Sequence, residues 1–257
     1  MKLTWIDLNS WLFQMAGLTI LVDPWLVDPM TFYGQPWLFT ARHKTPPAFT
    51  PATLPPLDCI LLSQGLDDHC HVPTLQHLDR TLPVIASPTA AKIVRQLGFQ
   101  TVISLQPWQT HAIADQLSIT AIPGAELQPG QVENGYLLTG LRHHQTVYYE
   151  PHSFPAQAAS RIGRVDVAIA PAIGQIFPLL GQVIMGPQQT LAMLQALQPQ
   201  FYLPTTRGDI ETSGILPKFL KTVGSLAELQ DRIAQTGLNT QFLVPQAGTP
   251  IELAIGA

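Results

Sequence analysis

Apolar residues dominate positions 3–7, 10–15 and 18–22, and Asn9 and Ala16-Gly17 interrupt the runs. Short, largely apolar runs broken by turn-forming residues predict three strands in succession. Asp23-Pro24-Trp25 closes the third. Residues 58–62 and 84–86 are short apolar runs of the length that buried strands have. A helix is predicted around residues 73–78. Another opens where Ser87 caps and Pro88 takes the first position, and it stops at Gly98. Further strands are predicted at 101–105, 111–114, 117–122, 136–141, 146–149 and 165–170, with a helical segment near 156–162. The C-terminal part reads as helix 188–197, strand 201–203, loop 205–216 and helix 226–236, then closing strands at 242–244 and 251–253. Ser225 and Glu228 form a capping box for the last helix, and Gly237 ends it. Meandering strands in each half with helices interspersed predict an α+β fold of two sheets packed face to face and covered by helices.

Residues 24–56 have a different texture. They are rich in proline and carry Trp25, Phe32, Tyr33, Trp37, Phe39 and Phe49. A long ordered loop with hydrophobic anchors is predicted here, and loops of that length commonly cover a site. Residues 167–206 hold no Asp, Glu, Lys, Arg or His. Pro171, Pro178, Pro187 and Pro204 interrupt the stretch, as do Gln175, Gln182, Gln188 and Gln189, so it reads as a buried strand, a loop and a helix rather than a membrane span. Loose contact with a membrane surface through Ile176-Phe177-Pro178-Leu179-Leu180 is the lesser alternative.

Composition narrows the classes. The 257 residues are 46% hydrophobic and 12% charged, which argues for a sizeable core and against disorder. No composition shift marks a linker, so a single domain over 1–257 is expected. A net charge of −4 gives no global attraction for nucleic acid. Two cysteines, Cys59 and Cys70, make no disulfide framework and suggest reduced thiols in a cytoplasmic protein. The first residues, Met1-Lys2-Leu3-Thr4-Trp5, read as a strand rather than a signal peptide.

The candidate chemistry centres on Ser63-Gln64-Gly65-Leu66-Asp67-Asp68-His69, directly after the apolar run Cys59-Ile60-Leu61-Leu62. That is the layout of a metal-binding loop at the end of a buried strand. Trp5-Ile6, Ser10-Trp11-Leu12, Ile20-Leu21-Val22-Asp23-Pro24-Trp25, Pro83-Val84-Ile85-Ala86-Ser87-Pro88, Val165-Asp166-Val167-Ala168-Ile169-Ala170-Pro171 and Met185-Gly186-Pro187 are further signposts. Taken together they resemble the metallo-β-lactamase fold, in particular its ascorbate-phosphate-lactonase-like branch, over most of the chain. The resemblance implies a four-layer αββα sandwich of two mixed sheets with two metals between them. It also implies a loop reading His-x-His-x-Asp-His, in which Gln64 and Leu66 replace the first two histidines and Asp68 and His69 remain. A third histidine is expected after Ile122-Pro123, where Gly124-Ala125-Glu126 stands. A bridging aspartate is expected where Glu150-Pro151-His152 stands, and a C-terminal histidine where Thr205-Thr206-Arg207 stands. The family's first metal site is therefore expected to be missing.

Two readings of the remaining residues stand side by side. Asp68, His69 and His152 form a surviving half-site for one divalent metal (zinc, manganese or iron), with Glu150 or water completing it, His152 as ligand or general base, Gln64 orienting substrate or water, and Arg207 binding a carboxylate or phosphate. In the other reading no metal binds. Asp68 then caps the following helix, His69 bonds to it, Gln64 is a buried amide satisfied by backbone, and Arg207 neutralises Asp68 or Asp209. Asp23 is expected to be a carboxylate supporting the site. His71 as an extra ligand and Cys70 as a nucleophile are weaker ideas, His143 and His144 read as solvated, and His43, His77 and His111 have no evident partners. The corresponding functions are a metal-dependent hydrolase of a small ester, lactone, amide or phosphoester, an anionic one being favoured by the lactonase resemblance and by Arg207, or an inactive protein of the same fold that binds a small or apolar ligand or a protein partner. A nuclease is disfavoured by the charge.

Overall fold

A computed structural model describes residues 1–128, 131–178 and 181–255, apart from the side chains of 125–128 and 131. The chain divides into two compact units. Unit one comprises Met1–Gln106, Gly208–Lys218 and the stretch from Pro245; unit two comprises Pro107–Arg207 and Phe219–Val244.

The sheet of unit one has seven strands in the order Pro250–Glu252, Lys2–Asp7, Ser10–Met15, Leu18–Val22, Cys59–Leu62, Val84–Ala86 and Val102–Ser104. The hairpin-linked strands pair antiparallel, with Trp5 opposite Trp11 and Phe13 opposite Ile20. From Leu18–Val22 onward the pairing is parallel, as crossovers require. Alternate side chains Ile6, Leu12, Leu21, Ile60 and Leu62 share a core with Leu75, Val94 and Phe99. Helix Pro88–Gln96 begins as expected: Ala90 N–H donates to Ser87 Oγ at 3.4 Å, and Gly98 takes φ +87.

Two expectations need correction. Residues 24–56 are not loop throughout, because Met30–Thr31 and Phe39–His43 are strands. The predicted loop at 205–216 contains a third strand, Ile210–Gly214, which pairs with Phe39–His43. Neither strand alternates cleanly. Their small sheet is held by backbone ladders and by a local core of Trp25, Met30 and Ala41, against which Phe32, Phe39 and Ile210 pack.

Unit two also carries a seven-stranded sheet, ordered Gln241–Phe242, Phe201–Thr205, Val167–Pro171, Thr146–Tyr149, Gln131–Gly140, Leu117–Gln128 and Thr110–Ile113. Its first four strands are parallel and the rest antiparallel. Helices Pro187–Leu197 and Leu226–Thr236 bury Met193, Leu194, Leu197, Leu229 and Ile233 in one core with Tyr148, Ala168 and Tyr202. The uncharged stretch holds a strand, the hairpin Gly174–Phe177 and Gly181–Ile184, and the first of these helices. Leu179 and Leu180 of the suggested surface segment lie outside the described residues. Among the described residues no helix is long and apolar enough to cross a membrane. The α+β class with two mixed sheets is as expected.

Candidate metal centre

The strand Cys59–Leu62 delivers Ser63 to a tight loop in unit one, where the N–H groups of His69 and Cys70 donate to Leu66 O at 3.0 and 2.7 Å. Gly65 lets this loop lie against helix Pro88–Gln96. Its N–H donates to Thr89 Oγ1 at 3.0 Å, and a Cβ there would meet Thr89 Cβ at 2.9 Å.

Behind the loop sits Asp23, fully buried, at a φ of 42 that aspartate tolerates better than most residues. Its Oδ1 accepts the Ser63 N–H at 2.7 Å. Its Oδ2 accepts the Ser63 hydroxyl at 2.5 Å and stands 2.7 Å from His69 Nδ1. Ser10 pins the Asp23 backbone, donating to Asp23 O at 2.9 Å and accepting the Trp25 N–H at 2.8 Å. The other ring nitrogen of His69, Nε2, stands 3.3 Å from Asp68 Oδ2 and 3.3 Å from the Asn9 carboxamide. Burial alone would push the His69 pKa down, but the charges of Asp68 and Asp23 outweigh it and raise it to about 10. A carboxylate on one ring nitrogen fixes the ring and leaves the other nitrogen for an ion. With Asp68 beside that nitrogen, the pair of N and O donors fits a divalent zinc, manganese or iron.

In unit two, strand Thr146–Tyr149 ends at Glu150, Pro151 and His152. The Glu150 carboxylate is buried and turned back on its own loop. Oε1 accepts the N–H groups of His152 and Ser153 at 3.0 and 3.1 Å, and Oε2 accepts the Tyr148 hydroxyl at 3.4 Å. Two glycines make room for it: a Cβ at Gly135 would lie 2.6 Å from Oε2, and one at Gly124 would lie 3.2 Å away. His152 is 6% exposed, and its carbonyl accepts the Met185 N–H at 2.8 Å. The Thr206 hydroxyl donates to Pro151 O at 2.9 Å, which ties the His152 turn to the segment carrying Arg207. Burial pushes the Tyr202 phenol well above its ordinary range, and the charge of Arg207 opposes this.

Asp68, His69 and the buried Gln64 therefore share one loop of unit one, while His152 and Arg207 occupy linked strand ends of unit two. Two sequence readings change and one is extended. His43 does have partners: its Nδ1 lies 2.8 Å from Asp28 Oδ1, its Nε2 lies 3.5 Å from Asp7 Oδ2, and its ring stacks on Trp25 at 3.8 Å. Asn9 does separate the first two strands as read, and it is also buried against His69. The residue that caps helix Val72–Gln76 is His71, not Asp68.

His71 uses both ring nitrogens for structure. Nδ1 accepts the Thr74 N–H at 3.3 Å, so the proton sits on Nε2, 3.3 Å from Pro29 O. Burial pushes its pKa from 6.5 down to about 4, against the pull of the Pro29 carbonyl and the Asp28 charge. A base that titrates lower when folded contributes nothing to pH dependence above 6.5 and destabilises the fold as pH falls from 6.5 towards 4. The loss attributable to His71 should reach about 2–3 kcal/mol. His71→Asn retains a capping oxygen and cannot titrate. Urea midpoints should therefore fall more steeply for the wild type than for this variant between about pH 7 and pH 4.5. Parallel curves would refute the assignment.

The profile of the family described as "Beta-lactamase superfamily domain" matches residues 2–206. Among solved structures, the isothiocyanate hydrolase from Delia radicum gut bacteria is 19% identical with a TM-score of 0.73, over 99% of each chain. A possible metal-dependent hydrolase from Veillonella parvula is 15% identical with a TM-score of 0.74, over 98% of this chain and 99% of its own. CmlA, a diiron beta-hydroxylase from Streptomyces venezuelae, is 18% identical with a TM-score of 0.68, over 98% of this chain and 54% of its own. At such identities the likeness is one of fold. Among curated protein sequences none matches.

Proposed function

Since the chain belongs to the beta-lactamase superfamily domain family, with the two mixed sheets of the metallo-β-lactamase fold, we propose that it is a metal-dependent hydrolase of a small anionic ester, lactone or phosphoester. In this reading Asp68, His69 and His152 are the ligands of a single divalent ion. The observation that carries the proposal is the setting of His69. Asp23 binds its Nδ1 at 2.7 Å, and Asp68 lies 3.3 Å from its Nε2.

When bound, the ion supplies Lewis acidity and lowers the pKa of water towards neutrality. The remaining roles belong to the chain. Asp23 and Ser63 keep the His69 ring from rotating. Glu150 holds the N–H groups of His152 and Ser153 and so fixes the turn that presents His152, as ligand or as proton acceptor. The Gln64 carboxamide, able to donate and accept, orients substrate or water. Arg207 offers a planar fork to a carboxylate or phosphate. Both cysteines are free and buried, which supports a reducing, cytoplasmic setting.

One observation favours a second reading. An imidazolium at His69 pairs with both Asp23 and Asp68 and would hold the loop without a metal, as an inactive ligand-binding protein of this fold would need. Elemental analysis of tag-free protein separates the two. About one metal per chain in the wild type, lost in Asp68→Ala and His69→Ala, is expected for the hydrolase. No metal after incubation with zinc, manganese and iron(II) would end that reading in favour of the binding protein.

A further inference from the structure

Asn9 is buried beside the ion-facing nitrogen of His69, and the roles assigned above do not use it. The turn after the first strand places it there. Leu8 takes φ 41 and donates its N–H to Asp7 Oδ1 at 2.7 Å, while its carbonyl accepts the Trp5 indole N–H at 3.2 Å. Ser10, the next residue, is anchored to the Asp23 backbone. The Asn9 carboxamide and the Asp68 carboxylate then both stand 3.3 Å from His69 Nε2.

That spacing has two meanings. It suits a hydrogen bond, and it also suits two ligands of one ion, because bonds of about 2.1 Å in tetrahedral or octahedral geometry separate neighbouring ligand atoms by about 3.0–3.4 Å. A carboxamide has nearly the same shape in its two orientations, so its oxygen fits where its nitrogen fits. Amide oxygens are ordinary ligands of hard cations.

We infer that Asn9 supplies an amide-oxygen ligand beside Asp68 and His69, and that it narrows the usual advantage of zinc over manganese(II) at this site. The inference rests on the metal-binding reading above. Its chemistry is that of donor softness: carboxylate and carbonyl oxygens suit manganese, whereas added imidazoles suit zinc.

Metal-stripped, tag-free wild type, Asn9→Ala, Asn9→Asp and Asn9→His would each be titrated with manganese(II) and with zinc(II) against a competing chelator, with folding checked by urea midpoint. Asn9→Ala should weaken manganese binding by about 10- to 100-fold and zinc binding less. Asn9→Asp should keep the manganese affinity, and Asn9→His should shift preference towards zinc by about tenfold or more. Affinities within about twofold of wild type in folded Asn9→Ala would overturn the inference alone. Should Asn9→Ala not fold, an unchanged manganese-to-zinc ratio in Asn9→His would do the same. A wild type that binds neither metal would overturn both the inference and the reading beneath it.

Discussion

Asp23→Ala is expected to destabilise the protein by about 3–5 kcal/mol, the range for removing one partner from a buried charged pair. Asp23 has no exposed surface and receives three polar atoms: Ser63 N at 2.7 Å, Ser63 Oγ at 2.5 Å and His69 Nδ1 at 2.7 Å. Alanine would leave the Ser63 amide and one face of a buried imidazole without the carboxylate. It would also place a residue with no local hydrogen-bonding group at φ 42. Asp23→Asn separates these effects. It keeps volume, tolerance of the left-handed conformation and one acceptor oxygen, but it has no charge and turns an NH2 towards one of the donors. It should fall between wild type and alanine. The measurement is urea unfolding, with the m-value checked so that a midpoint change can be read as stability. A loss below about 1 kcal/mol for alanine would mean that the network does not hold the loop as described. Metal content offers an independent check, since a free His69 ring should bind an ion about 10- to 100-fold more weakly.

Asp23 also shows what the sequence made legible. The Asp23-Pro24-Trp25 element, the Ser63–His69 loop and the Ser87-Pro88 helix start are each local patterns, and each is found where it was read. Contacts between distant residues were not readable. Asn9 and His69 are separated by 60 positions, and Asn9 alone looks like any turn residue. His43 meets Asp28, 15 residues away, only because a strand forms at Phe39–His43. That strand and its partner Ile210–Gly214 escaped notice for one reason. Their pairing rests on backbone hydrogen bonds, and exposed residues such as Glu211 and Thr212 carry no periodic apolar signal. The setting of Glu150 was not readable either. Its place in the chain offered it as a group completing the half-site, and the glycines that make room for its carboxylate are brought near only by the sheet register.

Glu150→Ala is accordingly expected to lower stability by about 3–5 kcal/mol, because two buried donors and one partly buried donor lose one acceptor at once, each costing about 1–3 kcal/mol when buried. They are the N–H groups of His152 and Ser153 and the Tyr148 hydroxyl. Gly135→Ala approaches the same carboxylate from the other side. Its Cβ would lie 2.6 Å from Glu150 Oε2 and 3.1 Å from Tyr149 O, so the carboxylate has to move. Crowding of that kind costs about 1–3 kcal/mol. Glu150→Asp is the most informative of the three. An aspartate is one methylene shorter and reaches the two amides less well. If Glu150 clamps the turn, the aspartate variant should lose about 1–2 kcal/mol, show faster amide exchange at His152 and Ser153, and keep its metal content. If Glu150 instead binds the ion, the same substitution would change metal content or affinity while the turn amides stay protected. The clamp assignment predicts the first pattern, since the glutamate oxygens already meet their donors within the turn that carries His152.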